Sequence, residues 1–471
     1  MVKIAKLLKI HISDKYEHIS ELLEFDVLAW QSGFYKIEPK KITATNLIGS
    51  FWEMQQLGKN SLSNWGLQMG KNIGQTITKQ AVDNRLNEDT LVMVKAILKK
   101  ALNAGNEESS RKKRKKWLKE KKKELQPVLH FFNNIIIHDS TTQQVSSNVS
   151  LEFPGSYSHG VPTAIARIQA AYNFTQDCWL DMSVGAYTDN DQSQAKALLP
   201  ELENKDLLIR DLGYFTLDAI SQLIENQFVI TRWDNKTSIL NREGKKIDLL
   251  YFLKKNLGTG HGNSKKPNAI DVPVLIGSKK KIPLRMVARR LPKQQAQQRI
   301  AKAKKDRHSK ANHSEEYFEL LRYEIYLTNV PKAILDALQI AKMYGLRWYI
   351  EIIFKAWKSY YNFKKMFKNT KMNYYRTAIT IYLLLIQFVY LTNEICRYIK
   401  QKVERPAEGC FISILKFFDV ANSCFLEIMA IQNLKQLNHL IPQFHQHATY
   451  DIRNDRKNMK EKFQYFNELY I

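Results

Sequence analysis

The sequence is poor in the residues that staple small folds. Its four cysteines, Cys178, Cys396, Cys410 and Cys424, are widely scattered and form no CxxC pair, which argues against a structural zinc site and a disulfide framework. Free thiols in a reducing compartment are the expectation. Long hydrophobic runs are also missing. The apolar stretch from Ala378 to Leu391 is interrupted by Gln387 and falls short of the roughly 20 residues that span a bilayer, so it reads as a core helix. The N-terminus carries cations but no long apolar region or small-residue cleavage site, so secretion is not expected. A cytoplasmic, nucleoid-associated protein without a membrane partner is the reading. Acids are the third shortage. Against 72 Lys and Arg there are 46 Asp and Glu, a formal net charge of +26 in 471 residues. Nucleic acid is the commonest polyanion able to match such an excess, with an anionic membrane surface as the main rival.

What is present is ordinary for a folded chain, with 44% apolar and 25% charged residues. The length suits three or four domains, or two with large insertions. Residues 1–110 read as a helical N-terminal DNA-binding region. Inside it, 61–87 has the pattern of a helix-turn-helix whose second helix would offer Lys79, Gln80 and Arg85 to a groove, although any helical hairpin shares that pattern. Residues 111–126 are a basic linker with ten cations against two acids, Glu120 and Glu124. It can be a solvated spacer or a strap along phosphates.

From 127 to 232 short β-like runs alternate with turns and helices, which indicates a mixed α/β sheet. Leu249–Leu253 is read as β-like and Gln192–Glu201 as a helix. Residues 233–322 form a β-rich insertion ending in a basic arm, 323–365 resume the sheet and supply one more helix, and 366–471 are helical, completing a core or a dimer interface.

Two strands deliver an aspartate at their carboxyl ends, Asp139 and Asp211. Alone, each is more often a turn former or helix cap. The helix Tyr344–Lys358 supplies a third acid. At about 100° per residue, Tyr344, Arg347, Glu351, Lys355 and Lys358 share roughly one third of its circumference. That stripe is either a solvated face with i,i+4 ion pairs or a site. A cluster of Asp139, Asp211 and Glu351 would need cations to stay ionised, and hard oxygen ligands select Mg²⁺ or Mn²⁺.

The pattern Tyr344-x2-Arg347-x3-Glu351-x6-Lys358, downstream of Asn329-Val-Pro, resembles the Tyr-Arg-Glu-Lys signature of bacterial insertion-sequence DDE transposases. His138-Asp139-Ser-Thr-Thr and Asp211-Leu-Gly213-Tyr-Phe are similar to that family's two aspartate motifs. The resemblance covers roughly residues 127–365. It implies an RNase H-like core in which Asp139, Asp211 and Glu351 hold two Mg²⁺ ions, with Mn²⁺ able to substitute, for cut-and-paste transposition. Two such ions can activate a water or 3′-hydroxyl and stabilise the leaving oxygen. The resemblance also implies double-stranded DNA as partner, with a homodimer formed on it, and assigns Tyr344, Arg347 and Lys358 to phosphates, with Lys355 on the same face. Relatives that excise through a hairpin stack a flipped base on an aromatic ring. Tyr323 stands where many carry Trp, and Trp233 is either a substitute candidate or, as its type more often is, a packed core residue. The geometric expectation is that the three carboxyl groups converge. The alternatives are a DNA-binding repressor that does not cut, or an RNase H-like nuclease without strand transfer.

Overall fold

The computed structural model describes residues 15–104, 131–158, 160–257, 267–305, 314–360, 363, 372–405 and 408–451. The basic linker 111–126, the end of the basic arm and the last residues of the C-terminal region lie outside them. The chain forms two compact units. One combines residues 1–124, 140–189 and 349–465, and the other combines 125–139, 190–348 and 466–471. The described strands are, in chain order, β1 (Ile135–Gln144), β2 (Pro154–Ser158), β3 (Val161–Asn173), β4 (Cys178–Ala186), β5 (Leu207–Arg210), β6 (Phe228–Arg232), β7 (Ile239–Leu240), β8 (Ala269–Ile276), β9 (Ile282–Arg290) and β10 (Tyr323–Thr328).

In the second unit the start of β1 runs parallel to β5, with Ile135 opposite Leu207 and His138 opposite Arg210, and β5 runs parallel to β6. Ile135–Ile137 and Leu207–Ile209 are buried, the near-continuous apolar pattern of parallel strands covered on both faces. A helix, Leu217–Asn226, crosses from β5 to β6. Thr216 starts it by accepting a hydrogen bond from the Ala219 amide. β10 then pairs antiparallel with β6 on one side and with β9 on the other. The insertion continues outward through β8 and β7. Its apolar faces close over a core that includes Leu253, Ile276, Met286, Ala288 and Leu327. This parallel triplet, with the antiparallel hairpin β3–β4 inserted between β1 and β5 in sequence, is the α/β, RNase H-like mixed-sheet core expected from the sequence, interrupted by a β-rich insertion.

Two local readings change. Leu249–Leu253 belongs to a helix, Leu249–Asn256. A short apolar run does not distinguish strand from helix; here Asp248 caps the first turn, and Lys254 and Lys255 face the carbonyl end of the dipole. Gln192–Glu201 is a run of turns ending in a 3-10 helix, Leu199–Glu201. Pro200, which lacks the N–H a longer helix would need, keeps it short.

In the first unit, helix Leu62–Ile73 begins at Ser61, which accepts from the Asn64 amide, and stops at Gly74 with φ +66. That left-handed conformation is accessible to glycine at little cost. Helix Lys79–Arg85 follows, capped by Thr78. Helix Glu88–Ala104 packs on Tyr374–Tyr390. The latter runs through a π-helical turn, Leu391–Cys396, into Arg397–Val403. The resulting 30-residue helix is long and apolar enough to cross a membrane, yet 89% of its most apolar window is buried inside the protein. Trp52 Nε1 donates to Leu383 O at 2.9 Å. Phe388 packs against Trp179, Trp357 and Phe418, with ring centres 5.1–5.5 Å apart. The expectation of a core helix therefore holds.

Candidate active site

Parallel register builds the site. Because His138 lies opposite Arg210 on neighbouring parallel strands, the next residue of each, Asp139 and Asp211, lies just past the parallel pairing. Asp211 directly follows β5, but Asp139 does not end its strand as the sequence suggested, because β1 continues through the polar run to Gln144. Asp211 is also the N-cap of the 3-10 turn Leu212–Tyr214. The glycine two residues later has a steric cause. A Cβ on Gly213 would stand 2.7 Å from Asp191 Oδ2 and 3.3 Å from Asp191 Cβ.

One cation joins the two aspartates. Arg347 Nη1 donates to Asp139 Oδ2 at 2.9 Å, and its Nε lies 3.5 Å from Asp211 Oδ1. The side chains of Arg347 and Asp139 are 9% and 13% exposed, that of Asp211 38%. Among the described residues no group of three or more His, Cys, Asp or Glu side chains gathers as a metal site. Within the second unit Asp139, Arg347 and Asp211 thus form a carboxylate–guanidinium–carboxylate bridge. The physical reason is repulsion: two acids held this close need a cation between them, and the guanidinium supplies it.

Beneath the aspartates lies an unusual pair. His138 is 3% and Arg210 2% exposed. Neither His138 Nδ1 nor any guanidinium nitrogen of Arg210 makes a hydrogen bond among the described residues. Both lean on Tyr214, the imidazole ring at 4.1 Å between centres and the guanidinium at 5.6 Å. Burial and the neighbouring Arg210 charge hold His138 well below the usual histidine pKa, while burial pushes Arg210 down to about 10. His138 is therefore neutral across the physiological range.

The signature residues divide. Tyr344 closes helix Ala337–Tyr344, and Arg347 closes the 3-10 turn Gly345–Arg347. Both are buried. The Tyr344 ring lies 5.3 Å from the Arg232 guanidinium and 5.9 Å from that of Arg347, and burial pushes its hydroxyl up to about 12. The following helix, Trp348–Tyr360, carries Glu351, Lys355 and Lys358. Trp348 is the last residue of one compact unit and the helix continues in the other. Lys355 is exposed and Glu351 half-buried. Lys358 Nζ donates to Thr142 O at 2.8 Å.

The loop before these elements is firmly held. Asn329 accepts from Val229 N and donates to Gln227 O, both at 2.8 Å. Arg285 pairs with Asp271 at 2.6 Å and donates to the carbonyls of Val330 and Leu335.

The remaining sequence candidates lie as follows. Tyr323 is 5% exposed, with its ring in the core 5.9 Å from the Arg290 guanidinium. Trp233 is partly buried, and its Nε1 donates to Thr237 O. Tyr323 presents no free face for a base, whereas Trp233 lines a cavity of about 600 Å³ with Lys236 and Tyr317. Trp348 presents a free face, at 55% exposed and 5.4 Å from the Arg347 guanidinium. The spaced signature does not include it, because the residue lies beside the pattern, and the sequence carries no sign of its exposure. In the N-terminal region Lys79 and Gln80 are exposed, whereas Arg85 donates to Phe34 O at 2.9 Å and lies over the Phe34 ring.

A transposase DDE domain family matches residues 130–385, more than half of the chain. The chain is 28% identical over 373 residues to the transposase for insertion sequence element IS231D of Bacillus thuringiensis subsp. finitimus, covering 75% of this chain and 73% of that protein. It is 26% identical over 314 residues to the transposase for IS1151 of Clostridium perfringens, covering 62% and 61%. A piggyBac transposase chain, solved in a synaptic complex with hairpin DNA, aligns over 93% of this chain and 84% of its own length at 10% identity and a TM-score of 0.43, a likeness that by itself assigns no fold.

Proposed function

The chain belongs to the DDE transposase family, and from that premise we propose that it binds the ends of its insertion sequence and carries out metal-dependent cleavage and strand transfer. The observation that carries this reading is the convergence of Asp139 and Asp211 on one cation, each the residue just past the parallel pairing of β1 with β5. The donors fit a divalent ion. They are hard carboxylate oxygens that one guanidinium already spans, and Glu351 follows Arg347 one helical turn later. Asp139, Asp211 and Glu351 would hold two Mg²⁺ ions, which supply a polarised nucleophile and a stabilised leaving oxygen for in-line displacement.

The rest of the chemistry is positioning. Lys355 and Lys358 lie on the helix of Glu351 and provide point charges for phosphates; Arg347 provides a bidentate contact. Trp348 offers an exposed π-face to an unstacked base. Burial and the Arg210 charge keep His138 neutral, so it adds no cation that would compete with the metals. Lys79 and Gln80 are exposed to meet DNA in the N-terminal region. The protein works on double-stranded DNA in the cytoplasm, as a homodimer when two ends are paired. Basic linker 111–126 adds sequence-independent affinity.

The test is strand cleavage of a duplex carrying the element's own terminus in Mg²⁺. Asp139→Ala, Asp211→Ala and Glu351→Ala are each expected to abolish cutting and joining while end binding persists in a gel shift. Full cleavage by any one of them sinks the metal assignment, and a wild-type protein that binds but never cuts identifies a repressor instead.

A further inference from the structure

We propose that Arg347 is the resident counter-ion of the Asp139–Asp211 pair, and that a divalent cation loads only as DNA phosphate draws the guanidinium away. This rests on the metal role of those aspartates proposed above. Arg347 contacts the very oxygens a metal would need, Asp139 Oδ2 at 2.9 Å and Asp211 Oδ1 at 3.5 Å. A metal ion bound to those oxygens would face the guanidinium as a like charge. Arg347 and Asp139 are both largely removed from solvent, so salt screens that repulsion poorly. Arginine and metal therefore compete for one place.

The chain also supplies a route for the exchange. Arg347 ends a short 3-10 turn, where side-chain rotation does not disturb a long helix. Its guanidinium already lies 5.4 Å from the ring centre of Trp348, whose 55% exposure opens to solvent. Turning outward along that ring keeps the cation–π contact, and a phosphate at the far side offers the bidentate geometry that guanidinium groups favour. Two carboxylates with one arginine carry a net charge of −1. Taking the arginine away leaves −2, which a divalent ion neutralises. The site then stays inert toward metal until DNA is in place, and by linkage DNA and metal raise each other's affinity by the same factor.

Direct Mn²⁺ binding to the full chain, read as loss of the free-ion electron paramagnetic resonance signal, tests this without catalysis. The probe is Mn²⁺ alone or with a short blunt duplex of arbitrary sequence, since phosphate contacts carry no sequence information; binding to the duplex itself is subtracted. The duplex is expected to tighten Mn²⁺ binding to the wild type about tenfold, inside the usual range of allosteric coupling. Arg347→Gln is expected to bind Mn²⁺ about as tightly without duplex as the wild type does with it, and to gain little more on adding it. Arg347→Lys keeps a cation and is expected to behave like the wild type. Equal Mn²⁺ affinity of Arg347→Gln and wild type, or an Arg347→Lys protein that binds like Arg347→Gln, overturns the exchange. If Asp139→Asn with Asp211→Asn leaves Mn²⁺ binding of the Arg347→Gln protein unchanged, the metal assignment itself falls, a result distinct from either.

Discussion

Replacing Lys400 with methionine probes how the helix bearing Glu351 is held. In the first unit Lys400 Nζ lies 3.1 Å from Asp177 Oδ1 and 3.3 Å from Tyr349 Oη, and Tyr172 Oη donates to Asp177 at 3.0 Å. The two charged side chains are 5% and 13% exposed. Burial is the largest single influence and works against the ammonium charge, but the Asp177 carboxylate together with Tyr349, Cys396 and Glu404 outweighs it, so the pKa of Lys400 lies well above its ordinary value. A group raised in this way contributes stability that is complete below the unfolded pKa and is lost only as pH rises through the folded one. The pair is thus fully formed from neutral pH down to the point at which Asp177 takes a proton.

Lys400→Met keeps most of the volume and strands a buried carboxylate. Removing one partner of a buried pair costs about 3–5 kcal/mol, and at about 2–4 °C per kcal/mol the melting temperature should drop by roughly 6–20 °C. Lys400→Met combined with Asp177→Asn should be more stable than Lys400→Met alone, because the stranded charge is gone. Urea unfolding at pH 7 measures both. A Lys400→Met protein within about 0.5 kcal/mol of wild type, the range of an ordinary surface substitution, would refute the reasoning, as would a double variant at least as unstable as the single one. Tyr349 precedes Glu351 by two residues on the same helix, so Tyr349→Phe, which removes only the hydroxyl, should cost less, about 1 kcal/mol.

Gly213→Ala forces a Cβ to within 2.7 Å of Asp191 Oδ2; a destabilisation of about 1–3 kcal/mol is expected, and unchanged stability would show that Asp191 swings away freely. Asp206, 1% exposed, has its pKa pushed up to about 6 by burial. Because the native state then holds its proton more tightly than the unfolded one, this group's contribution to stability should fall as pH rises from about 4 to about 6, seen as a flatter slope over that window in Asp206→Asn; identical slopes would remove the effect. Trp348→Ala should weaken binding of a duplex with an unpaired terminal base by about fivefold or more relative to a fully paired duplex, from a stacking energy of about 1–3 kcal/mol per base; an unchanged ratio would mean that the exposed ring receives no base.

The layout was legible where local chemistry repeats itself. Ile135–Ile137 and Leu207–Ile209 announce buried parallel strands, and Ser61, Gly74 and Thr78 mark a helix, its end and the next beginning. Leu249–Leu253 was ambiguous because five apolar residues fit either geometry, and the deciding cap, Asp248, lies outside the run. The site was half legible. Spacing suggests one helix from Tyr344 to Lys358, whereas a 3-10 turn, Gly345–Arg347, separates Tyr344 and Arg347 from the helix of Glu351; the bond from Arg347 to Asp139 spans 208 positions in sequence, and no periodicity records such a contact. The burial of Tyr323 was equally hidden, since β10 is buried along its whole length and alternation gives no warning of that.

The way β8 and β9 are added to β10 constrains how such a chain can be shortened. β10 donates and accepts on both sides, along Tyr323–Thr328 toward β9 and along Tyr326–Thr328 toward β6. Excising the insertion would turn this wholly buried strand into an open edge, the kind that recruits other chains. The insertion is consequently a fixed wall of the fold rather than an exchangeable cassette. A chain shortened by loss of it is expected to aggregate before it could lose or gain an activity.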